Sequence, residues 1–147
     1  MPEINAGSGP SETLLESSLE SVDIAEQLVM EAASRNGVPE EDLPRIGMAV
    51  REAMVNAVVH GNRYNANKRV HLDIHRDRQR LIIGITDEGE GFDPAALPDP
   101  LAEENLLRQS GRGLLLMRAF VDEVDIRRAP PFGTRIELIV HIPSATG

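Results

Sequence analysis

Between residues 51 and 62 the chain reads REAMVNAVVHGN, with Glu52, Asn56 and His60 at successive four-residue steps in an otherwise apolar run. Residues four apart share one side of an α-helix, so the three polar groups form one stripe. Winding the segment at about 100° per residue puts Ile46, Val50, Ala53, Met54 and Ala57 on one broad face. Met48, Val55 and Val59 form a second apolar strip beyond Glu52. A carboxylate beside buried surface is costly unless it has a partner or a task. His60, next to a glycine, reads as a helix-end residue.

Three further stretches carry chemistry. In TDEGEGFD a strand runs into Asp87, Gly89 and Gly91. Asp87 is in phase with Leu81, Ile83 and Ile85, so its carboxylate points toward the core, where it needs a hydrogen-bond donor. The exocyclic amine of a bound base would be one, and the glycines would let a flat ligand approach. In SGRGLLLM, Gly111 and Gly113 open a helix, and the free N–H groups of such an end favour phosphate. Thr134, after Gly133, lies in phase with Ile136, Leu138 and Val140 and aims at the same interior as Asp87. Each feature alone has a plainer explanation: a solvated helical Glu, an Asp-Gly turn, a helix start, β-propensity.

The elements that would position these groups follow from periodicity. The spacing predicts a first strand near TLLESSL and a helix over SVDIAEQLVMEAASRN, built on Ile24, Leu28 and Ala32 and stopped by Gly37 and Pro39. A second helix begins at Leu43-Pro44 with Asp42 as its cap and runs to about His60-Gly61. VHLDIHR and LIIGITD alternate as a hairpin around DRQR, a helix covers GRGLLLMRAFVDE, and strands at VDIRR and TRIELIVHI close the domain. Residues 92–110, with three prolines, read as a long loop of the kind that is usually functional. The order gives an α+β, two-layer sandwich with helices on one face of a mixed or antiparallel sheet. Residues 1–12 read as a flexible lead-in, and 13–143 as one domain.

Bulk properties narrow the class. A chain of 147 residues buries roughly two-thirds of its unfolded surface, enough for one real core. Its net charge of −9 argues against sequence-independent nucleic-acid binding, which draws its affinity from Lys and Arg on phosphates. It has no cysteine, and nothing in it resembles a signal peptide or an apolar span of about 20 residues, so a soluble, cytoplasmic protein without membrane contact is expected.

Taken in order and spacing, Glu52-x-x-x-Asn56, Asp87-x-Gly89-x-Gly91, Gly111-x-Gly113 and Gly133-Thr134 resemble the nucleotide-binding boxes of the GHKL (HATPase) ATPase/kinase superfamily. REAMVNAVVHGN, PDPLAEENLL and SGRGLLLMRAFVDEV are similar to the anti-sigma factor serine/threonine kinases of the RsbW/SpoIIAB type. The resemblance covers roughly residues 13–142. It implies a Bergerat-type fold with ATP between the sheet and a lid at 92–110. Asn56 would hold Mg²⁺, Asp87 would accept from the adenine amine with Thr134 in support, and Gly89 and Gly91 would shape the base pocket. Gly111, Arg112 and Gly113 would serve the phosphates, and Glu52 would be the catalytic base toward a serine or threonine hydroxyl. The implied partners are a STAS-domain anti-anti-sigma protein, a sigma factor and a second copy of the chain.

Two departures bear on rate. Residues 1–34 hold no Lys or Arg, where kinases of this family can bring an arginine from the first helix, and Gln109 stands where a family lid arginine meets the γ-phosphate, with Arg108 and Arg112 as neighbours able to substitute. Transition-state charge on the phosphoryl group needs cationic help. The alternative is therefore a nucleotide-gated anti-sigma or partner-binding module with little or no kinase activity. A sensor histidine kinase domain would need a phosphoacceptor segment that this chain lacks.

Overall fold

The computed structural model of the chain describes residues 11–89, 113–130 and 133–143. The elements run β1 (Ser11–Glu16), α1 (Glu20–Arg35), α2 (Leu43–Val55), β2 (Arg69–Asp77), β3 (Arg80–Thr86), α3 (Gly113–Phe120), β4 (Glu123–Arg128) and β5 (Thr134–His141). The strands form one five-stranded sheet in the order β1-β2-β3-β5-β4 with every pair antiparallel. This is the expected α+β sandwich, with the mixed-sheet option removed.

Alternation in the strands builds the layer boundary. Val70, Leu72 and Ile74 of β2, Leu81, Ile83 and Ile85 of β3, and Ile136, Leu138 and Val140 of β5 are all buried in one cluster with the helices. Register aligns them across the sheet: Leu72 faces Ile85, which faces Ile136, and Ile74 faces Ile83, which faces Leu138. The helices lie on that side as a connected layer, α1 against α2 and α2 against α3 and β5. The α2 face expected from the wheel is the buried one: Ile46, Val50, Ala53 and Met54 are fully enclosed and Ala57 nearly so. Truncating Met54 to alanine is expected to destabilise the fold by about 2–5 kcal/mol, read from urea unfolding, because the void lies in a packed interior.

The opposite sheet face carries one buried apolar pair, Ile82 facing Ile139, and beside it a network of charged side chains. Arg135 binds Asp73 through two bonds, Nη1 to Oδ2 at 2.6 Å and Nη2 to Oδ1 at 3.0 Å, while its Nε donates to Glu137 at 3.0 Å. This bidentate pair spans β2 and β5 across β3. It fits because residue 84 is glycine: an added Cβ there would lie 2.3 Å from the guanidinium.

Several local details differ from the expectation. The phase of α1 is turned: Val22, Ala25, Val29, Ala32 and Ala33 are buried, while Ile24 is exposed. The helix ends through Gly37, whose φ of +90° is open to glycine, and Asn36, whose Nδ2 donates to the Ala32 carbonyl at 2.8 Å. Asp42 sits at the N-terminal boundary of α2 but makes no side-chain cap; its carboxylate accepts from Arg45 Nε at 3.3 Å. Arg45 also donates to the Phe120 carbonyl at the end of α3. That helix stops at Phe120, short of the expected Glu123, because Asp122 already joins the sheet: its N–H donates to the Ile139 carbonyl and its carboxylate accepts from the His141 N–H.

Candidate nucleotide site

Glu52 and Asn56 both fall within half-buried positions at the end of α2. Among the described residues, neither side chain has a hydrogen-bond or ion-pair partner, so a carboxylate and an amide stand together, sheltered and uncommitted. The second apolar strip flanks them less completely than the wheel suggests, since Met48 is exposed while Val55 and Val59 are partly buried. His60 is exposed. Beside them, Arg51 is turned toward α1, where its Nη1 donates to Asp23 at 2.7 Å and Glu26 at 3.0 Å.

At Asn56 the winding changes. Residues Asn56–Gly61 form a π-helical turn, and the Asn62 N–H donates to the carbonyl of Ala57, five residues back, at 2.8 Å. Such wide turns inside α-helices occur often at functional sites. The step from Glu52 to Asn56 lies before this change, so the two keep their α-helical neighbourhood. Just beyond the turn, Arg63 and Tyr64 both lie in the left-handed region with φ of 51° and 58°. The turn delivers Gly61 onto the end of β3.

Asp87 is buried, and its surroundings leave no room for side chains. A Cβ on Gly61 would lie 2.3 Å from Asp87 Oδ2, one on Gly89 would lie 2.3 Å from the Gly61 carbonyl oxygen, and one on Gly133 would lie 2.3 Å from the Asp87 carbonyl oxygen. Gly133 also has a φ of +113°. Asp87 Oδ1 accepts from the N–H groups of Gly89 at 3.0 Å and Thr134 at 3.1 Å, and the Asp87 N–H donates to the Thr134 carbonyl at 3.0 Å. Among the described residues these two bonds on Oδ1 are all the carboxylate makes, and Oδ2 has no donor among them. Burial pushes the Asp87 carboxyl up from the ordinary carboxylate value, against a smaller pull downward from the Gly89 and Thr134 amides and the charge of Lys68.

Asp87, Gly89 and Thr134 are thus brought together as expected, with Thr134 acting on Asp87 through its backbone. Gly113 is buried at the start of α3, which packs on α2. Gly91, Gly111, Arg112 and the 92–110 segment expected as the lid lie outside the described residues. Gly61, read only as the end of a helix, and Asn62, given no role, turn out to wall and brace the pocket. Their signal in the sequence is faint, because a Gly-Asn pair after a helix is ordinary turn chemistry.

These residues fit a purine nucleotide. The glycine-lined cradle around a half-satisfied buried carboxylate suits a flat base that brings an amine donor. Asn56 offers a single amide oxygen, and among the described residues no group of three or more His, Asp or Glu could hold a metal by itself. That donor set suits Mg²⁺, which keeps its waters and is commonly bound through one or two protein ligands plus phosphates.

The chain is similar to known proteins over most of its length. Residues 15–140 match the family described as histidine kinase-like ATPase domain. The chain is 33% identical over 104 residues to the anti-sigma F factors of Bacillus velezensis and Bacillus subtilis, covering 69% of this chain and 71% of each relative. The same identity holds over 107 residues with the anti-sigma F factor of Bacillus thuringiensis, covering 71% of this chain and 73% of that one. Among solved structures, the RsbU and RsbW domains of a Mycobacterium tuberculosis protein superpose with a TM-score of 0.65 at 18% identity, a likeness of fold. That match covers 91% of this chain and 32% of the longer one. Since the family match runs from β1 into β5 and the relatives agree over more than two-thirds of both chains, this chain belongs to the histidine kinase-like ATPase domain family, within its anti-sigma factor kinase type.

Proposed function

We propose that the chain is an ATP-dependent serine/threonine protein kinase that acts as an anti-sigma factor in a cytoplasmic partner-switching system. It would hold a sigma factor inactive and phosphorylate a STAS-domain anti-anti-sigma antagonist. The observation that carries this is the pairing of an uncommitted Glu52 and Asn56 on one helix stripe whose continuation, through Gly61, walls Asp87. ATP would supply the γ-phosphoryl group, and Mg²⁺ the neutralisation of its charge. Asn56 would hold the ion; Asp87 Oδ2 would accept from the base amine while Thr134 fixes Oδ1. Gly89 and Gly91 would admit the base, and Gly111, Arg112 and Gly113 would bind phosphate. Glu52 would take the proton from the partner's serine or threonine Oγ as that oxygen bonds to phosphorus and the bond to the ADP oxygen breaks.

One observation favours a second reading, a nucleotide-gated anti-sigma module with little turnover. The first helix offers no cation before Arg35, and Arg51, adjacent to the base, is engaged by Asp23 and Glu26. The deciding experiment supplies the protein with γ-labelled ATP, Mg²⁺ and lysate of the source cell, then identifies labelled proteins by mass spectrometry. Label on a serine or threonine of a small STAS-domain protein within minutes is expected. STAS and sigma proteins that bind in an ATP-dependent way yet remain unlabelled would overturn the kinase and leave the gated switch.

A further inference from the structure

Asn62 is 1% exposed, and no step proposed above uses it. Both of its amide hydrogens and its amide oxygen are engaged, across three separate parts of the chain. Its Nδ2 donates to Ser17 Oγ at 2.9 Å, just past β1, and to the Arg69 carbonyl at 3.0 Å, at the start of β2. Its Oδ1 accepts from the N–H of Glu88 at 2.8 Å. Ser17 Oγ in turn donates to the Lys68 carbonyl at 2.6 Å. Glu88 is the residue between Asp87 and Gly89, so the one backbone amide that Asn62 holds lies in the middle of the base cradle.

A second set of bonds meets Glu88 from the outside. Its Oε1 accepts from the Arg69 N–H at 2.9 Å, and its Oε2 lies 2.6 Å from His71 Nε2. The bond from His71, with that from Arg69, holds the Glu88 carboxyl below the ordinary range. These outer contacts are exposed to solvent, where such bonds contribute little. The Asn62 side chain is itself buried, its bond to Ser17 wholly and those to Arg69 and Glu88 in part, and an unmade bond there costs much of the desolvation of its partner. Of the two sets, Asn62 therefore fixes where the backbone from Asp87 to Gly89 lies.

We infer that Asn62 is a positioning residue for nucleotide binding: by holding the Glu88 amide it sets the carboxylate of Asp87 and the close approach of Gly89 to Gly61. The inference rests on the nucleotide reading of the cradle for its consequence and on the bonds alone for its geometry. Because the last residue of the π-helical turn, Gly61, touches Asp87 and the next, Asn62, braces Glu88, a single turn after Asn56 links the stripe of the proposed base to the pocket of the proposed adenine.

The test compares the full chain with Asn62→Ser, Ser17→Ala and, as a control of similar burial far from the cradle, Val29→Ala. Three quantities are read: thermal midpoint, ATP dissociation constant in Mg²⁺, and hydrogen exchange of the Glu88 amide without nucleotide. Asn62→Ser is expected to weaken ATP binding about tenfold and to speed Glu88 exchange by a similar factor, as loss of a partly buried bond from an enclosed side chain implies. Ser17→Ala, which removes one of the two acceptors of Nδ2, should move both in the same direction by less, and carries the comparison if Asn62→Ser does not fold. Val29→Ala should lower the midpoint and leave affinity and Glu88 exchange as in the wild type. Unchanged affinity in both variants, or an equal loss in Val29→Ala, overturns the positioning role. A wild-type chain that binds no ATP sinks the nucleotide reading itself; Glu88 exchange then judges Asn62 alone, and an unchanged rate overturns the assignment.

Discussion

Asp87→Asn is expected to weaken ATP binding by about one to two orders of magnitude while the apo protein stays folded. Asparagine keeps the shape of the carboxylate, and its Oδ1 can still accept from the Gly89 and Thr134 amides. Its Nδ2 then takes the place of Oδ2 beside Gly61 and turns a donor toward the amine of adenine. Two donors facing each other lose a bond to a charged acceptor and add a repulsion. A base with a carbonyl at that position has the opposite need, so the preference for ATP over inosine triphosphate should narrow or invert in the variant. Equal ATP affinity in wild type and variant would remove Asp87 from the base contact.

The same substitution has a pH signature in the absence of nucleotide. Burial raises the Asp87 carboxyl in the folded state, so the fold binds its proton more tightly than the unfolded chain does. Its contribution to stability is thus fully present below the unfolded carboxylate value of about 3.9 and is lost as pH rises through the raised folded value. Asparagine carries no such dependence. The stability of Asp87→Asn relative to wild type should therefore increase as pH rises from about 4 through the raised folded value, read in urea unfolding.

How much of this was legible depended on whether the determining contacts were local. Strand alternation placed Asp87 with Leu81, Ile83 and Ile85, and pairing with β5 kept it there, because a period of two leaves only two faces to choose from. The wall of α2 was legible for the same reason, with large residues repeating at helical spacing. In α1 the apolar residues include several alanines, which bury by allowing close approach rather than by hydrophobic weight, and the larger Ile24 misdirected the phase. The π-helical turn left no periodic mark, being one turn long. The Asn62–Glu88 bond, the Gly61–Asp87 contact and the Arg135–Asp73 pair join residues 26 to 62 positions apart, which no local pattern encodes. A buried asparagine and a surface one look alike until the fold encloses one of them.

The largest expected effect is on chemistry rather than binding. Glu52→Gln preserves the volume and hydrogen-bonding length of the side chain but cannot take up a proton, so phosphotransfer to the partner should fall by about 10²–10⁴-fold, the range of a positioned general base. ATP affinity should remain within about twofold, since Asp87, Gly89 and the phosphate-side glycines are untouched, and binding of the sigma factor should persist. The variant would then be an anti-sigma factor locked in its inhibitory state, able to hold its target and unable to inactivate its antagonist. A Glu52→Gln protein that phosphorylates at the wild-type rate would show that the half-buried carboxylate has another task. Phosphotransfer slow in the wild type as well, and unchanged by the substitution, would point instead to the missing first-helix cation as the limit, because removing a base cannot slow a step that the charge on phosphorus already controls.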